Sequence, residues 1–168
     1  MNVTLNNRTG VVKTNNLKSQ LIQKGYGIHK NKELYLDLFE VYYLFENKKI
    51  KVIDSKNKAL SQKKLKQYII TKIKDFEDKY LVYKNFKDQG FIIKDGALFG
   101  FDFRIYDTQN NIEHSHTKYV VDVKRSHKET INELIKSERL ANNIHTTYIL
   151  AIIDQNNKII KIKIERMI

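Results

Sequence analysis

The run Tyr148–Ile153, YILAII, sets six apolar residues in succession. A short continuous run of this kind is the pattern of a strand buried in the middle of a sheet. After the polar segment Asp154–Lys158 comes Ile159–Ile164, IIKIKI, whose strict alternation gives a strand with one apolar face. A strand like this at the end of the sequence belongs at a sheet edge or in a subunit interface, because an unpaired alternating edge invites another chain.

The rest of the sequence mixes helices and further strands. Ser126 is a candidate N-cap for a helix over Lys128–Ala141, with Ile131, Leu134, Ile135 and Leu140 inward. Phe76–Gln89 reads as a helix with Tyr80, Tyr83 and Phe86 inward, and Gly90 suits its C′ position. Phe91–Ile93 reads as a strand and Asp95-Gly96 as a turn; Leu98–Tyr106 and Tyr119–Val123 read as strands. Residues 1–30 read as short strands and turns, with a strand fragment at Val11-Val12 and a glycine-flanked turn at Lys24–Gly27. Residues 33–46, ELYLDLFEVYYLFE, read as a helix with Leu34, Leu38, Val41, Tyr42 and Phe45 on one stripe and Glu33 in its first turn. Ile50–Ile53 reads as a short strand. Ser61 suits the N-cap of a helix that puts Leu65, Tyr68, Ile69, Ile73 and Phe76 on one side and Lys63, Lys64, Lys66, Lys72 and Lys74 on the other. The expected class is α/β (α+β): a small N-terminal α+β domain over 1–73, and a C-terminal domain over 74–168 with a mixed sheet flanked by helices.

Composition narrows the partners. The chain has 168 residues, 41% of them hydrophobic, enough for one ordinary core or two small ones. A net charge of +12 and a pI near 9.6 suit a polyanion, nucleic acid before an anionic membrane surface. No apolar run approaches the roughly 18 residues of a membrane span, and the opening MNVTLNNRTG lacks the apolar core of a signal peptide. The absence of cysteine excludes disulfides and thiolate metal sites. A cytoplasmic protein is expected. A chain with no proline and many Lys, Ile and Asn also carries the mark of a biased genome, which contributes to the lysine excess.

Most of the chemistry lies in Gly96–Tyr119, GALFGFDFRIYDTQNNIEHSHTKY, which reads as strand, loop, strand. Phe99, Phe101, Phe103 and Ile105 alternate with Gly100, Asp102, Arg104 and Tyr106. A phenol thus ends one strand, and His114 and His116 precede the next. Such a pair suits RNA, which carries its own nucleophile: the 2′-OH attacks the adjacent phosphate while a base takes its proton and an acid protonates the leaving 5′-oxygen. Histidine titrates in the useful range. Tyrosine, with a reference pKa of about 10, is a poor base unless a neighbouring cation helps it.

Three segments, Lys79–Asp107 (KYLVYKNFKDQGFIIKDGALFGFDFRIYD), His116–Val123 (HTKYVVDV) and Arg139–Asp154 (RLANNIHTTYILAIID), resemble the archaeal tRNA-splicing (tRNA-intron) endonuclease family. The resemblance runs over nearly the whole chain, KGYG and ELYLDLFEVYYLFENKKIKV included. It implies an endonuclease that needs no metal or cofactor and cuts precursor tRNA at bulge–helix–bulge motifs, leaving 2′,3′-cyclic phosphate and 5′-hydroxyl ends. The family uses Tyr as base, His as acid and Lys to stabilise charge on the scissile phosphate. Tyr106 matches the tyrosine. His114 and His116 both suit the histidine, and the spacing to Tyr119–Val123 favours His116. The lysine falls on Thr146, between His145 and Thr147, so the triad is incomplete and the chain is expected to be a structural partner in a hetero-oligomer. Alternatively, it cuts with Tyr106, His116 and a substitute cation such as His145. The resemblance further implies that Arg139 and Lys161 contact RNA bulge bases. It also implies that Asp154–Lys158 is a plug loop for a second subunit, or a second copy, with Asp154 its only acid.

A competing pattern from another class is Asp102 followed by Asp122-Val123-Lys124, the D…(D/E)-x-K arrangement of metal-dependent nucleases.

Overall fold

The computed structural model describes residues 2–107, 116–125 and 130–166. Ser126 and His114 lie outside the described residues. The chain divides into two compact units, Met1–Phe76 and Glu77–Ile168.

In the first unit, β1 (Asn2–Asn6), β2 (Thr9–Val12), β3 (Ile28–Lys30), β4 (Glu33–Asp37) and β5 (Lys51–Ile53) form a sheet in the order β3-β4-β2-β1-β5. All pairings are antiparallel except β1 with β5. Three helices accompany it: α1 (Asn15–Gln23), α2 (Leu38–Glu46) and α3 (Gln62–Ile70). α1 stands where the sequence suggested only strands and turns. It is short and rich in Asn and Gln, and two leucines four apart, Leu17 and Leu21, carry all of its burial.

Residues 33–46 are not one helix. Glu33–Leu36 alternates in burial and pairs with β2 from Thr9↔Asp37 to Val12↔Leu34. The helix begins after Asp37, whose Oδ1 accepts the Glu40 N–H at 2.8 Å while the Glu40 carboxylate accepts the Asp37 N–H at 3.0 Å. That capping box fixes the helix start. Glu40 is 1% exposed and also accepts the Gly27 N–H through both oxygens. The leucines at 34 and 38 fit a helical stripe as well as an alternating strand, so the cap decides. Ser61 caps α3, as expected, by accepting the Lys64 N–H at 3.4 Å. α3 stops at Ile70, however, and Phe76 opens the next helix, its ring 5.4 Å from both Phe39 and Tyr42.

The second unit is a five-stranded sheet between two helices. β6 (Ile92–Asp95), β7 (Phe103–Tyr106), β8 (Tyr119–Arg125), β9 (Thr147–Ile153) and β10 (Ile159–Ile164) stand in the order β10-β9-β8-β7-β6. β8 and β9 are parallel and the other pairs antiparallel, so the sheet is mixed, in an α+β chain. The apolar run of β9 is central, as its composition required. α4 (Phe76–Asp88) covers one face, where Tyr83 meets Phe103 at 6.0 Å between ring centroids. α5 (Ile131–Asn143) covers the other, where Ala141 and Leu134 pack with Phe101, Val120, Tyr148 and Leu150.

Two expectations need correction here. The segment Leu98–Tyr106 is not strand throughout: Ala97–Phe99 is a 3₁₀ turn, Gly100 has φ of 80°, and Leu98 is 95% exposed. A left-handed residue interrupts the ladder, and glycine takes that conformation at no steric cost. The alternation Phe101, Phe103, Ile105 survives as a buried series. The second correction concerns α5, which opens at Ile131 rather than Lys128. Thr130 caps it in a box with Glu133. Its inward residues are Leu134, Glu138 and Ala141, while Ile131, Ile135 and Leu140 are exposed.

Candidate active site

The sheet order gathers three segments at one end. β7 ends with Tyr106; β8 and β9 begin at Tyr119 and Thr147, a parallel pair in register. Ile105 pairs with Tyr119, and the Lys118 N–H donates to the Ile105 carbonyl at 2.8 Å. The Thr146 hydroxyl donates to the Thr117 carbonyl at 2.9 Å. Tyr106, the approach to β8 that carries His116, and Thr146 are therefore neighbours along this end of the sheet.

Tyr106 is buried, His116 exposed and Thr146 half-buried. Thr146 follows directly on the turn that ends α5, and its N–H donates to the Ala141 carbonyl at 3.1 Å. His145 occupies that turn with φ of 53° and is exposed. A cavity of about 340 Å³ opens beside Thr146 and Thr147, lined also by Glu138, Asn142 and Arg166.

Two cations near this end escaped the sequence reading. Arg104 lies two residues before Tyr106, hence on the same face of β7. Its guanidinium sits 4.6 Å from the Phe99 ring centroid and 5.8 Å from that of Tyr106. Its Nε donates to the Asp95 carbonyl at 3.1 Å, and among the described residues it has no carboxylate partner. Arg166 donates through Nε to Oε2 of Glu138 at 2.8 Å, and Glu138 is 7% exposed. The strand pattern marked Arg104 as polar-face; only the β9–β10 pairing brings Arg166 towards Thr146.

Two other cations are engaged. Lys118 binds Asp107 at 2.8 Å, and that hydrogen bond holds its pKa above the ordinary lysine value. Lys161 donates to Asn85 Oδ1 at 2.9 Å and lies 4.4 Å over the Phe86 ring; burial pushes its pKa down. Lys161 thus faces α4, whereas Arg139 is exposed on α5 across the sheet. Within one chain the two RNA-contact candidates are not brought together.

Asp102 and Asp122 do meet, and every oxygen of the two carboxylates is occupied. Asp122 accepts the Asp102 N–H at 3.2 Å and the Tyr148 hydroxyl at 3.1 Å. Asp102 accepts the Val123 N–H at 2.9 Å and pairs with Lys79 at 2.7 Å. Burial, and then the Asp102 charge, raise the Asp122 pKa to about 6. Each of these oxygens thus already holds one donor, and among the described residues no three His, Cys, Asp or Glu gather in one place. The pair ties the Phe101 turn, β8 and β9 together.

Comparison with known proteins matches both units. Residues 76–161 fit the model of the tRNA intron endonuclease catalytic C-terminal domain, and residues 1–66 that of the N-terminal domain. The chain belongs to the tRNA intron endonuclease family. The tRNA-splicing endonuclease of Pyrococcus abyssi is 36% identical over 142 residues, 84% of this chain and 81% of that protein. That of Saccharolobus islandicus is 30% identical over 145 residues, 82% of this chain and 79% of that protein. No helix among the described residues is long and apolar enough to cross a membrane.

Proposed function

We propose that this endonuclease-family chain is a cytoplasmic subunit of an assembly that removes introns from precursor tRNA at bulge–helix–bulge motifs. The observation that carries the reading is the meeting of Tyr106, the His116 segment and Thr146 at one sheet end. In the reaction Tyr106 takes the 2′-OH proton, the 2′-oxygen bonds to phosphorus, and the P–O5′ bond breaks as His116 protonates the 5′-oxygen. The products are a 2′,3′-cyclic phosphate and a 5′-hydroxyl, and no metal enters the bond changes.

Thr146 cannot supply the fixed positive charge that the family's lysine gives the phosphate. Loss of one such group typically costs a factor of about 10²–10³ in rate. We therefore read the chain as a structural subunit whose own pocket cuts slowly. A second endonuclease subunit supplies the intact triad, and Arg139 and Lys161 contact the RNA at the partner's cut. Arg104, beside Tyr106 without a carboxylate partner, favours a second reading in which the chain cuts by itself with a substitute cation. One assay separates them: purified chain on a bulge–helix–bulge RNA, with and without a partner subunit. The structural reading expects slow cutting alone, restoration by the partner, little effect of Tyr106→Phe in the complex, and a gain from Thr146→Lys in the isolated chain. Rapid cutting alone, abolished by Tyr106→Phe, overturns it.

A further inference from the structure

The charge of this chain is divided very unequally. Met1–Phe76 contains 16 Lys and Arg against 6 Asp and Glu; Glu77–Ile168 contains 15 against 13. The first unit thus carries +10 of the net +12. A lysine-rich genome loads both units with lysine, and both have it. It does not strip acids from one unit only, so composition alone leaves the difference unexplained.

The excess is concentrated locally. Lys48 and Lys49 follow α2, Lys51 stands on β5, Lys56 and Lys58 occupy the turn after it, and Lys63 and Lys64 open α3. All seven are exposed. β5 is an edge strand of its sheet, paired with β1. Among the described residues none of the seven has a carboxylate partner. The one acid within the stretch, Asp54, spends its Oδ1 on the N–H groups of Lys56 and Lys58, each at 2.9 Å. Lysines arranged to stabilise the fold would be matched by acids, as Lys79, Lys118 and Arg125 are in the second unit. These are left free to neutralise an external polyanion.

We propose that this edge, Lys48–Lys64, grips the phosphate backbone of double-stranded RNA in the helical arms of the substrate. The inference rests on the precursor-tRNA reading above and adds a second, sequence-independent contact surface. Lysine suits that task as a flexible point charge that reads no base. An A-form helix offers such groups its phosphates and 2′-hydroxyls rather than its major-groove base edges. The first unit then supplies affinity, and the second unit holds the pocket.

The test uses the full chain with all seven lysines changed to glutamine, and a control with Lys30→Gln and Lys32→Gln at the β3 edge on the far side of the same sheet. Binding is measured on a plain RNA duplex and on a bulge–helix–bulge RNA as salt is raised. Each lost phosphate contact lowers the slope of log K against log salt by about 0.9, by the duplex-DNA value. The seven-lysine variant should lose about 3 or more from the slope on both RNAs, with an unchanged melting curve. In the complex with a partner subunit its KM should rise while kcat holds. An unchanged slope overturns the proposal, as does an equal loss per charge in the control. Loss of binding to anionic phospholipid vesicles with RNA binding intact overturns it in favour of a membrane surface. Failure of the complex to cut the bulge–helix–bulge RNA, with duplex binding still dependent on the seven lysines, would count against the splicing reading and leave the grip standing.

Discussion

Asp122→Asn should change how stability depends on pH, and the structure gives the sign. Asp122 has a pKa of about 6 against 3.8 for an ordinary aspartate, first because it is buried and next because Asp102 lies beside it. The folded chain therefore holds this proton more tightly than the unfolded chain does. For a carboxylate raised in this way, the contribution to stability is full below the unfolded value. It is lost as pH rises through the folded value. A shift of about two units corresponds to about 3 kcal/mol, at about 1.4 kcal/mol per unit. Asparagine does not titrate. Its carbonyl can still accept the Asp102 N–H, and its amide NH2 can donate to the Tyr148 hydroxyl oxygen in place of the bond it received. Any difference in the strength of these bonds shifts the level of the curve, and the titration shows in its slope with pH. Urea unfolding of both proteins from about pH 4 to pH 7 measures the difference. The variant should gain roughly 2 to 2.5 kcal/mol relative to the parent across that window, since part of the full difference is already lost by pH 4. A carboxyl carbon resonance of Asp122 titrating near 6 would report the same proton directly. A stability difference that stays flat with pH refutes the argument, and with it the claim that folding raises the Asp122 pKa.

The reaction should survive excess EDTA once RNA folding and assembly are shown intact, and a 2′-deoxy residue at the cut should abolish it. Loss of cutting in EDTA alone would restore the Asp102, Asp122 and Lys124 reading. Truncation after Asp154 removes β10 and bares the edge of β9, so gel filtration should show a monomer or the protein should become insoluble; an unchanged oligomer would contradict a role for β10 in assembly. Gly10→Ala should destabilise the first unit by about 1–3 kcal/mol. A Cβ there would lie 2.5 Å from Val41 Cγ2 and 2.7 Å from Val3 Cγ1, and a melting curve checks it.

The parts of the fold legible in sequence were those in which one period dominated. YILAII and IIKIKI became β9 and β10, and Tyr80, Tyr83 and Phe86 became the buried stripe of α4. The failures came where two periods fit the same residues or where burial was sparse. Leu34 and Leu38 satisfy a helix and a strand alike, and the Asp37–Glu40 cap chose between them. α5 packs Leu134 inward as expected but also buries a glutamate and an alanine, while Ile131, Ile135 and Leu140 are exposed, so the hydrophobic reading held only at Leu134. In the candidate site, the strand-end position of Tyr106 and the place of Thr146 just before β9 were both readable along the chain. The Thr146–Thr117 hydrogen bond, the Arg104 stack on Phe99 and the Arg166–Glu138 pair were not, because each depends on which strands and helices become neighbours.

The parallel pairing of β8 with β9 also sets an order of assembly. β6, β7 and β8 join as successive antiparallel strands, but β9 reaches β8 only after α5 has been laid across the sheet. Contacts of long sequence separation form late, since the loop between them must first be closed. On the ribosome, Thr146 therefore meets Thr117 only once β9 itself has emerged. A nascent chain already bearing Tyr106 and His116 thus lacks its Thr146 neighbour, and this end of the sheet stays half built until β9 arrives.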